Sequence, residues 1–208
     1  MTLSADYFER MYREDNDPWG FTDRWYEERK RAVTLAALPE PRYGCAYEPG
    51  CSIGVLTLGL ADRCESLLAS DISPIALREA DRRLEGRCNV LLERRQLPEE
   101  WPHGQFDLVV LSELLYYFDE RDLPNVLAKA SRAVAPGGTL LSVHWRWAVA
   151  DYPQRGDAVQ GALAAEVAGT LVRTVHHSEA DFDLAVYVKR YDVDDVGGCS
   201  VAQRTGLK

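Results

Sequence analysis

The fold is decided by one stretch of the chain, Tyr47-Glu48-Pro49-Gly50-Cys51-Ser52-Ile53-Gly54. A short run with strand character precedes it at 43–48, and a segment with helical character follows it at 55–61. Its two glycines let the chain turn tightly and let the backbone approach a ligand closely. The spacing E-x-G-x-S-x-G matches neither the dinucleotide fingerprint G-x-G-x-x-G nor a phosphate-binding loop with G-K-[ST]. The stretch therefore predicts a strand–turn–helix unit, which either binds a ligand or is a tight connection without one.

The next strand-like run covers residues 66–69 and ends at Ser70-Asp71, so a second acidic residue lies at its end. A carboxylate there can accept two hydrogen bonds from the vicinal hydroxyls of a ribose, or it can stabilise the start of the next helix. Glu48, beside the glycine turn, would repel a diphosphate and attract a cation. S-adenosylmethionine (SAM) carries an ammonium and a sulfonium but no phosphate, so it suits these charges better than NAD does.

Strand-like and helix-like segments alternate from about residue 28 to residue 145, which predicts a parallel sheet flanked by helices. The apolar run FDLVVL at 106–111 suits a central strand covered on both faces. Ser73 and Pro74 suit the N-cap and first residue of a helix. The expected strands are 43–48, 66–69, 90–93, 106–111 and 139–144, and the expected helices are 27–38, 55–61, 74–84, 123–133 and 157–168. A turn is expected at 136–138.

Two further strand-like runs, 171–176 and 182–189, lie so close in sequence that they must pair antiparallel. We therefore predict a single Rossmann-like α/β domain over residues 1–190. Its sheet is expected to be seven-stranded and mostly parallel, with an antiparallel C-terminal strand and helices on both faces. Residues 191–208 are polar and contain glycine, so we expect them to form a loose tail. Residues 1–26 are dense in aromatic side chains and are broken by proline and glycine, so they predict either a lid over a cofactor or a helix packed on the sheet.

The composition of this chain of 208 residues disfavours several classes of partner. A net charge of −9 disfavours nucleic acid, which needs a basic surface. The short cluster Arg29-Lys30-Arg31 is expected to be the solvated face of an amphipathic helix. No apolar run approaches the ~18 residues of a membrane helix, and the N-terminus lacks the apolar core of a signal peptide. The scattered cysteines, without a C-x-x-C pair, predict reduced thiols in a cytoplasmic protein and no metal site.

Four motifs in succession resemble the class I SAM-dependent methyltransferases. They are YEPGCSIG, LLASDIS, LPEEWPHGQFDLVVLSELLYYF and APGGTLLSVHWR. Within that superfamily, DPWGFTDRWYEERKRAVTLAALP and the later DYPQRGDAVQGAL are similar to the N-methyltransferase group typified by nodulation protein S. The resemblance covers roughly residues 4–190 and implies SAM as cofactor, with S-adenosylhomocysteine (SAH) as its product.

The resemblance also implies roles for matching positions. Glu48, Gly50 and Gly54 would surround the methionine part of SAM. Asp71 would hold the ribose, and Ile72 would pack on the adenine. The other expected cofactor-binding residues are Trp19, Cys51, Ser52, Gln96, Leu97 and Ser112. Gln96 stands where many members carry an acid, and its amide can still hydrogen-bond an amino group.

Candidates for the acceptor side follow strands four and five, because ligands of open α/β sheets bind beyond the carboxyl ends of the strands. His144 is the leading general base, since imidazole titrates near neutrality, and Glu113 is the second. Tyr117, next to Tyr116, could orient a sugar or an amine. Each of these side chains could instead serve the packing of the domain.

These features predict an enzyme that transfers a methyl group from SAM to a small-molecule or oligosaccharide acceptor at nitrogen. Two alternatives stay open: an O-methyltransferase of a small metabolite and a SAM-binding module without catalysis. A dehydrogenase is disfavoured by Glu48 and by the missing dinucleotide fingerprint. Nucleic acid and membrane are not expected as partners, and the oligomeric state is left undetermined.

Overall fold

A computed structural model of the chain describes residues 1–190, and its centre is one seven-stranded sheet. The strand order is β3-β2-β1-β4-β5-β7-β6, in which β7 runs opposite to the other six strands. The strands are β1 (Tyr43–Pro49), β2 (Cys64–Asp71), β3 (Val90–Arg94), β4 (Phe106–Ser112), β5 (Val134–Trp145), β6 (Leu171–Ser178) and β7 (Phe182–Lys189). The predicted mostly parallel sheet with one reversed C-terminal strand is thereby confirmed.

Helices cover both faces of this sheet, as the sequence predicts. They are α1 (Ala5–Glu14), α2 (Trp25–Ala37), α3 (Val55–Ala61), α4 (Pro74–Arg83), α5 (Leu123–Ala133) and α6 (Gly156–Val167). Along β4, Leu108 and Val110 join the core beneath α2 and α3, whereas Val109 and Leu111 join the core beneath α5 and α6. The run FDLVVL is continuously apolar because consecutive side chains of this central strand enter opposite cores.

The start of α4 follows from its first two residues. The Ser73 hydroxyl accepts a hydrogen bond from the Ala76 amide at 3.3 Å, and Pro74 occupies the first helical position. Gly54 lies against the same helix with φ +77°, and a β-carbon there would lie 3.1 Å from the Ala80 Cα. Glycine at this position therefore lets the turn after β1 approach α4 closely.

The expected turn at 136–138 is wrong, because these residues lie inside β5. Phe106 pairs with Val134, but the next paired residue of β4, Leu108, pairs with Thr139. The intervening residues form a bulge, and Gly137 takes a φ of +76°. A residue without a side chain lets the strand loop out there and re-join the sheet.

The N-terminal residues form helix α1. The sequence left two possibilities open for them, a lid over a cofactor or a helix packed on the sheet. Phe8 and Tyr12 of α1 pack against Ile53 and against Ala76 of α4, so the helix covers the turn after β1. The expected tail at 191–208 lies outside the described residues. Within residues 1–190, no helix is long and apolar enough to cross a membrane, and no group of three His, Cys, Asp or Glu side chains could hold a metal ion.

Candidate cofactor and acceptor site

A cavity of about 290 Å³ opens where β1 and β4 lie side by side at their carboxyl ends. The chain leaves these two neighbouring strands toward opposite halves of the sheet, which is where ligands bind in such folds. The cavity is lined by twelve of the expected site residues: Trp19, Glu48, Gly50, Cys51, Ser52, Asp71, Ile72, Gln96, Leu97, Ser112, Glu113 and Tyr117. Gly54 and His144 are the two expected residues that do not line it.

The glycine turn is held by Asp71. The Ser52 amide donates to Asp71 Oδ2 and the Ser73 amide donates to Oδ1, both at 2.9 Å. Gly50 has a φ of +70°, and a β-carbon there would lie 2.9 Å from the Leu114 Cδ1 atom. One carboxylate thus fixes both the turn after β1 and the start of α4, and it also lines the cavity.

Glu48 is a buried acid without a complete set of partners. Its side chain lines the cavity at 2% exposure, and its Oε2 atom has no hydrogen-bond partner among the described residues. Burial, with a contribution from the charge of Asp71, raises the pKa of Glu48 to about 8. An unsatisfied carboxylate oxygen beside a glycine cradle fits a ligand with an ammonium group, so these residues fit SAM.

A buried ion network borders the same cavity. The Lys30 ammonium lies 2.9 Å from Glu27 Oε2 and 2.6 Å from Glu113 Oε1, and the three side chains are at most 11% exposed. Burial would lower the pKa of Lys30, but the two carboxylates outweigh it and raise this pKa above its usual value. The expectation that the basic cluster is a solvated face is therefore wrong for Lys30, which is 4% exposed.

Glu113 accepts hydrogen bonds from three protein partners. Oε1 accepts from Lys30, while Oε2 accepts from the Tyr116 hydroxyl and, at 3.1 Å, from the Trp145 amide. Burial would raise the pKa of Glu113, but Lys30 outweighs burial and the pKa lies below its usual range. Its backbone has a φ of +50°, a left-handed conformation that is uncommon outside glycine. This residue is thus held ionised and in one orientation.

The structure does not bring His144 to the cavity. The ring is completely buried, and its Nε2 atom accepts a hydrogen bond from the Leu115 amide at 3.0 Å. Its Nδ1 atom lies 3.2 Å from the Ser142 hydroxyl. Burial lowers the pKa of His144 to about 4, so the ring is neutral at physiological pH. Its geometry is that of a residue that fixes the backbone after β4.

Aromatic and polar contacts join the N-terminal segment to the other side of the cavity. The Tyr12 hydroxyl lies 2.6 Å from the Ser52 hydroxyl, and the Trp19 indole donates to the Tyr152 hydroxyl at 3.1 Å. The Tyr152 hydroxyl lies 3.4 Å from that of Tyr117. These contacts place residues 2–21 over the cavity, which Phe8, Tyr12, Trp19 and Phe21 help to line.

Sequence reasoning missed the contribution of α2 to the site. The buried residues of this helix are Glu27, Lys30 and Thr34, and all three line the cavity. Spacings of three and four residues place them on one helical face, and this periodicity is visible in the sequence. Because all three are polar, the pattern is typical of a face turned to solvent, and it gives no sign of burial.

Comparisons with known proteins show what this chain is similar to. A family profile described as "Methyltransferase domain" matches residues 46–138. A solved structure from Pseudomonas syringae, assigned as a methyltransferase, is 43% identical, with a TM-score of 0.70, and the match covers 80% of this chain and 100% of that one.

Two nodulation proteins are also similar to this chain. Nodulation protein S of Rhizobium tropici is 29% identical over 140 residues, or 65% of this chain. The matched part spans 59% of that relative's length. The N-methyltransferase NodS from Bradyrhizobium japonicum WM9, solved with SAH, has the same fold at 20% identity, with a TM-score of 0.75 over 90% of this chain and 98% of that one.

Proposed function

The chain belongs to the class I SAM-dependent methyltransferases, and we propose that it transfers a methyl group from SAM to the nitrogen of a small-molecule or glycan-type acceptor. The observation that carries the proposal is a buried oxygen of Glu48 that has no hydrogen-bond partner within residues 1–190, in the cavity that Asp71 also lines. Nitrogen as the methylated atom is supported by similarity to nodulation protein S, since the solved NodS structure is described as an N-methyltransferase.

Within the proposal, the cofactor half of the cavity is built from the ends of β1 and β2. Glu48 binds the ammonium of SAM, Asp71 binds the ribose hydroxyls, and Ile72 packs on the adenine. When bound, SAM supplies a methyl group that is already activated, so the protein mainly aligns the reactants. The other cofactor-binding residues that we propose are Trp19, Gly50, Cys51, Ser52, Gln96, Leu97 and Ser112, while Gly54 shapes the turn.

The acceptor half is assigned to residues that follow β4. Glu113, which Lys30 keeps ionised, stabilises the positive charge that develops on an attacking nitrogen. Tyr117 lines the cavity and orients the acceptor. His144 acts as a positioning residue, because its Nε2 lone pair is occupied by the Leu115 amide. An amine that binds in its protonated form must first release that proton to water, and the free amine then attacks the methyl carbon.

The test of the function uses the full chain with SAM labelled in its methyl group. Each acceptor in the panel is an amine or amino sugar paired with its hydroxyl counterpart. Formation of SAH that requires the amine, with label on nitrogen by fragmentation mass spectrometry, supports the proposal. Label on oxygen would identify an O-methyltransferase. SAM binding without turnover on any acceptor would identify a binding module.

We also propose that residues 1–26 are a lid, and we expect SAH to protect them from trypsin. Arg10, Arg13 and Arg24 are exposed, while Tyr12 and Trp19 close over the cavity. A cofactor beneath these aromatic rings stabilises the closed state by mass action. SAH should therefore slow cleavage at the three arginines several-fold, as followed by mass spectrometry. Cleavage after Arg190 serves as the control and should not change. If SAH protected the three arginines and Arg190 equally, or protected none of them, residues 1–26 would not be a lid.

The affinity for SAH should depend on pH through Glu48, whose pKa burial raises to about 8. Below that pH the free protein holds Glu48 protonated, but an ammonium ligand requires the carboxylate. Affinity should therefore rise roughly tenfold per pH unit between about pH 6 and 7.5, and binding should release about one proton. Calorimetry in buffers with different ionisation enthalpies measures both quantities. Glu48→Gln should bind more weakly and without this pH dependence; a wild-type affinity that is flat with pH would exclude the assignment.

A further inference from the structure

We propose that Glu27 on α2 binds the protonated amine of the acceptor, so that the site selects cationic acceptors over neutral ones. The inference rests on the proposed methyl transfer and adds to it a residue that determines specificity. It starts from the buried ion network of Glu27, Lys30 and Glu113, which lies in the cavity of Glu48 and Asp71.

The network has one cation for two anions. Lys30 is the shared partner of Glu27 and Glu113, and their side chains are 5%, 9% and 11% exposed. Among these three side chains the negative charges exceed the positive charge by one, in a place where water screens charges poorly. Buried charges are stable only when they are paired and hydrogen-bonded. A cationic group that enters the cavity would complete the network.

Glu27 is the member that has capacity for a further partner. Glu113 accepts hydrogen bonds from Lys30, Tyr116 and Trp145. For Glu27, the structure of residues 1–190 records hydrogen bonding and ion pairing with Lys30 alone. Burial raises the pKa of Glu27 and Glu113 adds to this effect, whereas Lys30 and Arg31 lower it. Its free lone pairs are available to an ammonium at the wall of the cavity.

Arg31 is the charge that could favour an anionic acceptor instead. It lines the same cavity, but its guanidinium donates to the Phe21 carbonyl, and the residue is half-buried rather than buried. Solvent weakens the field of a partly exposed charge more than that of a buried one. The charge of Arg31 lowers the pKa of Glu27 and so offsets part of the negative charge of the network. Because Arg31 is the more exposed charge, we expect a preference for cations, and the test includes an anionic probe for the opposite result.

The experiment measures acceptor binding to the full chain saturated with SAH, by calorimetry. The probes are D-glucosamine against N-acetyl-D-glucosamine, benzylamine against benzyl alcohol, and benzoate as the anionic probe. The wild-type protein should bind at least one amine about tenfold or more tightly than its neutral counterpart, because a hydrogen bond to a charged group is formed only with the amine. Equal binding within both pairs, or tightest binding of benzoate, would overturn the proposal without any variant.

Variants then assign the preference to a residue. Glu27→Gln should bind amine and neutral probe alike, with SAH affinity unchanged and KM for an amine acceptor raised more than kcat is lowered. Glu27→Asp should retain the preference in weaker form. Glu28→Gln is the matched control, since Glu28 is exposed on the same helix. A full amine preference in Glu27→Gln would refute the assignment. If the wild-type protein did not bind SAH at all, the proposed function itself would be refuted.

Discussion

Replacement of Lys30 by methionine should lower the free energy of unfolding by about 3–5 kcal/mol, because it leaves two buried carboxylates without their shared cation. Methionine retains most of the length of the side chain, so the change removes charge rather than volume. Lys30 is 4% exposed and contacts both Glu27 and Glu113. Denaturant unfolding at neutral pH, followed by tryptophan fluorescence, measures the loss, and an unchanged m-value shows that the transitions are comparable.

The control for this prediction is Arg29→Met in the same helix. Arg29 also has a carboxylate partner, Glu179, but their side chains are 42% and 26% exposed. Water screens such a pair, so its loss should cost much less than the loss of Lys30. The double variant Lys30→Met/Glu27→Gln should recover part of the stability, since one unpaired charge is removed. Similar losses for Arg29→Met and Lys30→Met would show that burial of the network contributes nothing.

The cofactor half of the site could be predicted because its geometry is local. The turn at 50–54 directly follows β1, and Asp71 is the last residue of β2. Parallel pairing then brings the ends of β1 and β2 together, with Glu48 opposite Ala69 in the register. A strand, its glycine turn and the acid that ends the next strand therefore come into contact whatever the rest of the chain does.

The contribution of α2 to the acceptor half could not be predicted because it depends on long-range packing. Lys30 and Glu113 are 83 positions apart, and the sequence around either residue does not predict its contact with the other. The charges of α2 predicted a face exposed to solvent. In the structure, Glu27 and Lys30 are buried because that face packs over the cavity. A polar stripe can be buried when its charges find partners across the site, and those partners come from another element.

His144 shows a different limit of the sequence. Its position at the end of β5 was predicted correctly, but strand position alone does not fix where the ring points. Along β5, Leu141 and Val143 face the core under α2 and α3, so Ser142 and His144 share the opposite face. There the ring meets the Leu115 amide in a short 3₁₀ helix (Leu115–Tyr117) that no pattern in the sequence predicts.

Loss of the Asp71 carboxylate should weaken SAH binding by roughly a hundredfold or more. Each of its oxygens already accepts a hydrogen bond from a backbone amide at 2.9 Å, which fixes the carboxylate at the wall of the cavity. In the proposed complex they also accept the two ribose hydroxyls, and a hydrogen bond to a charged group contributes about 1.5–3 kcal/mol. Asp71→Ala removes those bonds and the support of the glycine turn, so calorimetry should show a large loss. Asp81→Ala is the control, because Asp81 is exposed on α4, the helix that follows.

A ligand that lacks one hydroxyl separates the two contributions of Asp71. The 2′-deoxy analogue of SAH should bind the wild-type protein at least about tenfold more weakly than SAH does, since one charged hydrogen bond is lost. Against Asp71→Ala the two ligands should bind alike, because the acceptor of that hydroxyl is already absent. Such a double cycle isolates the contact between carboxylate and ribose from the support of the turn, which both ligands lose equally. If the variant still distinguishes SAH from its deoxy analogue as strongly as the wild-type protein does, the ribose is held elsewhere and the role of Asp71 is confined to the turn.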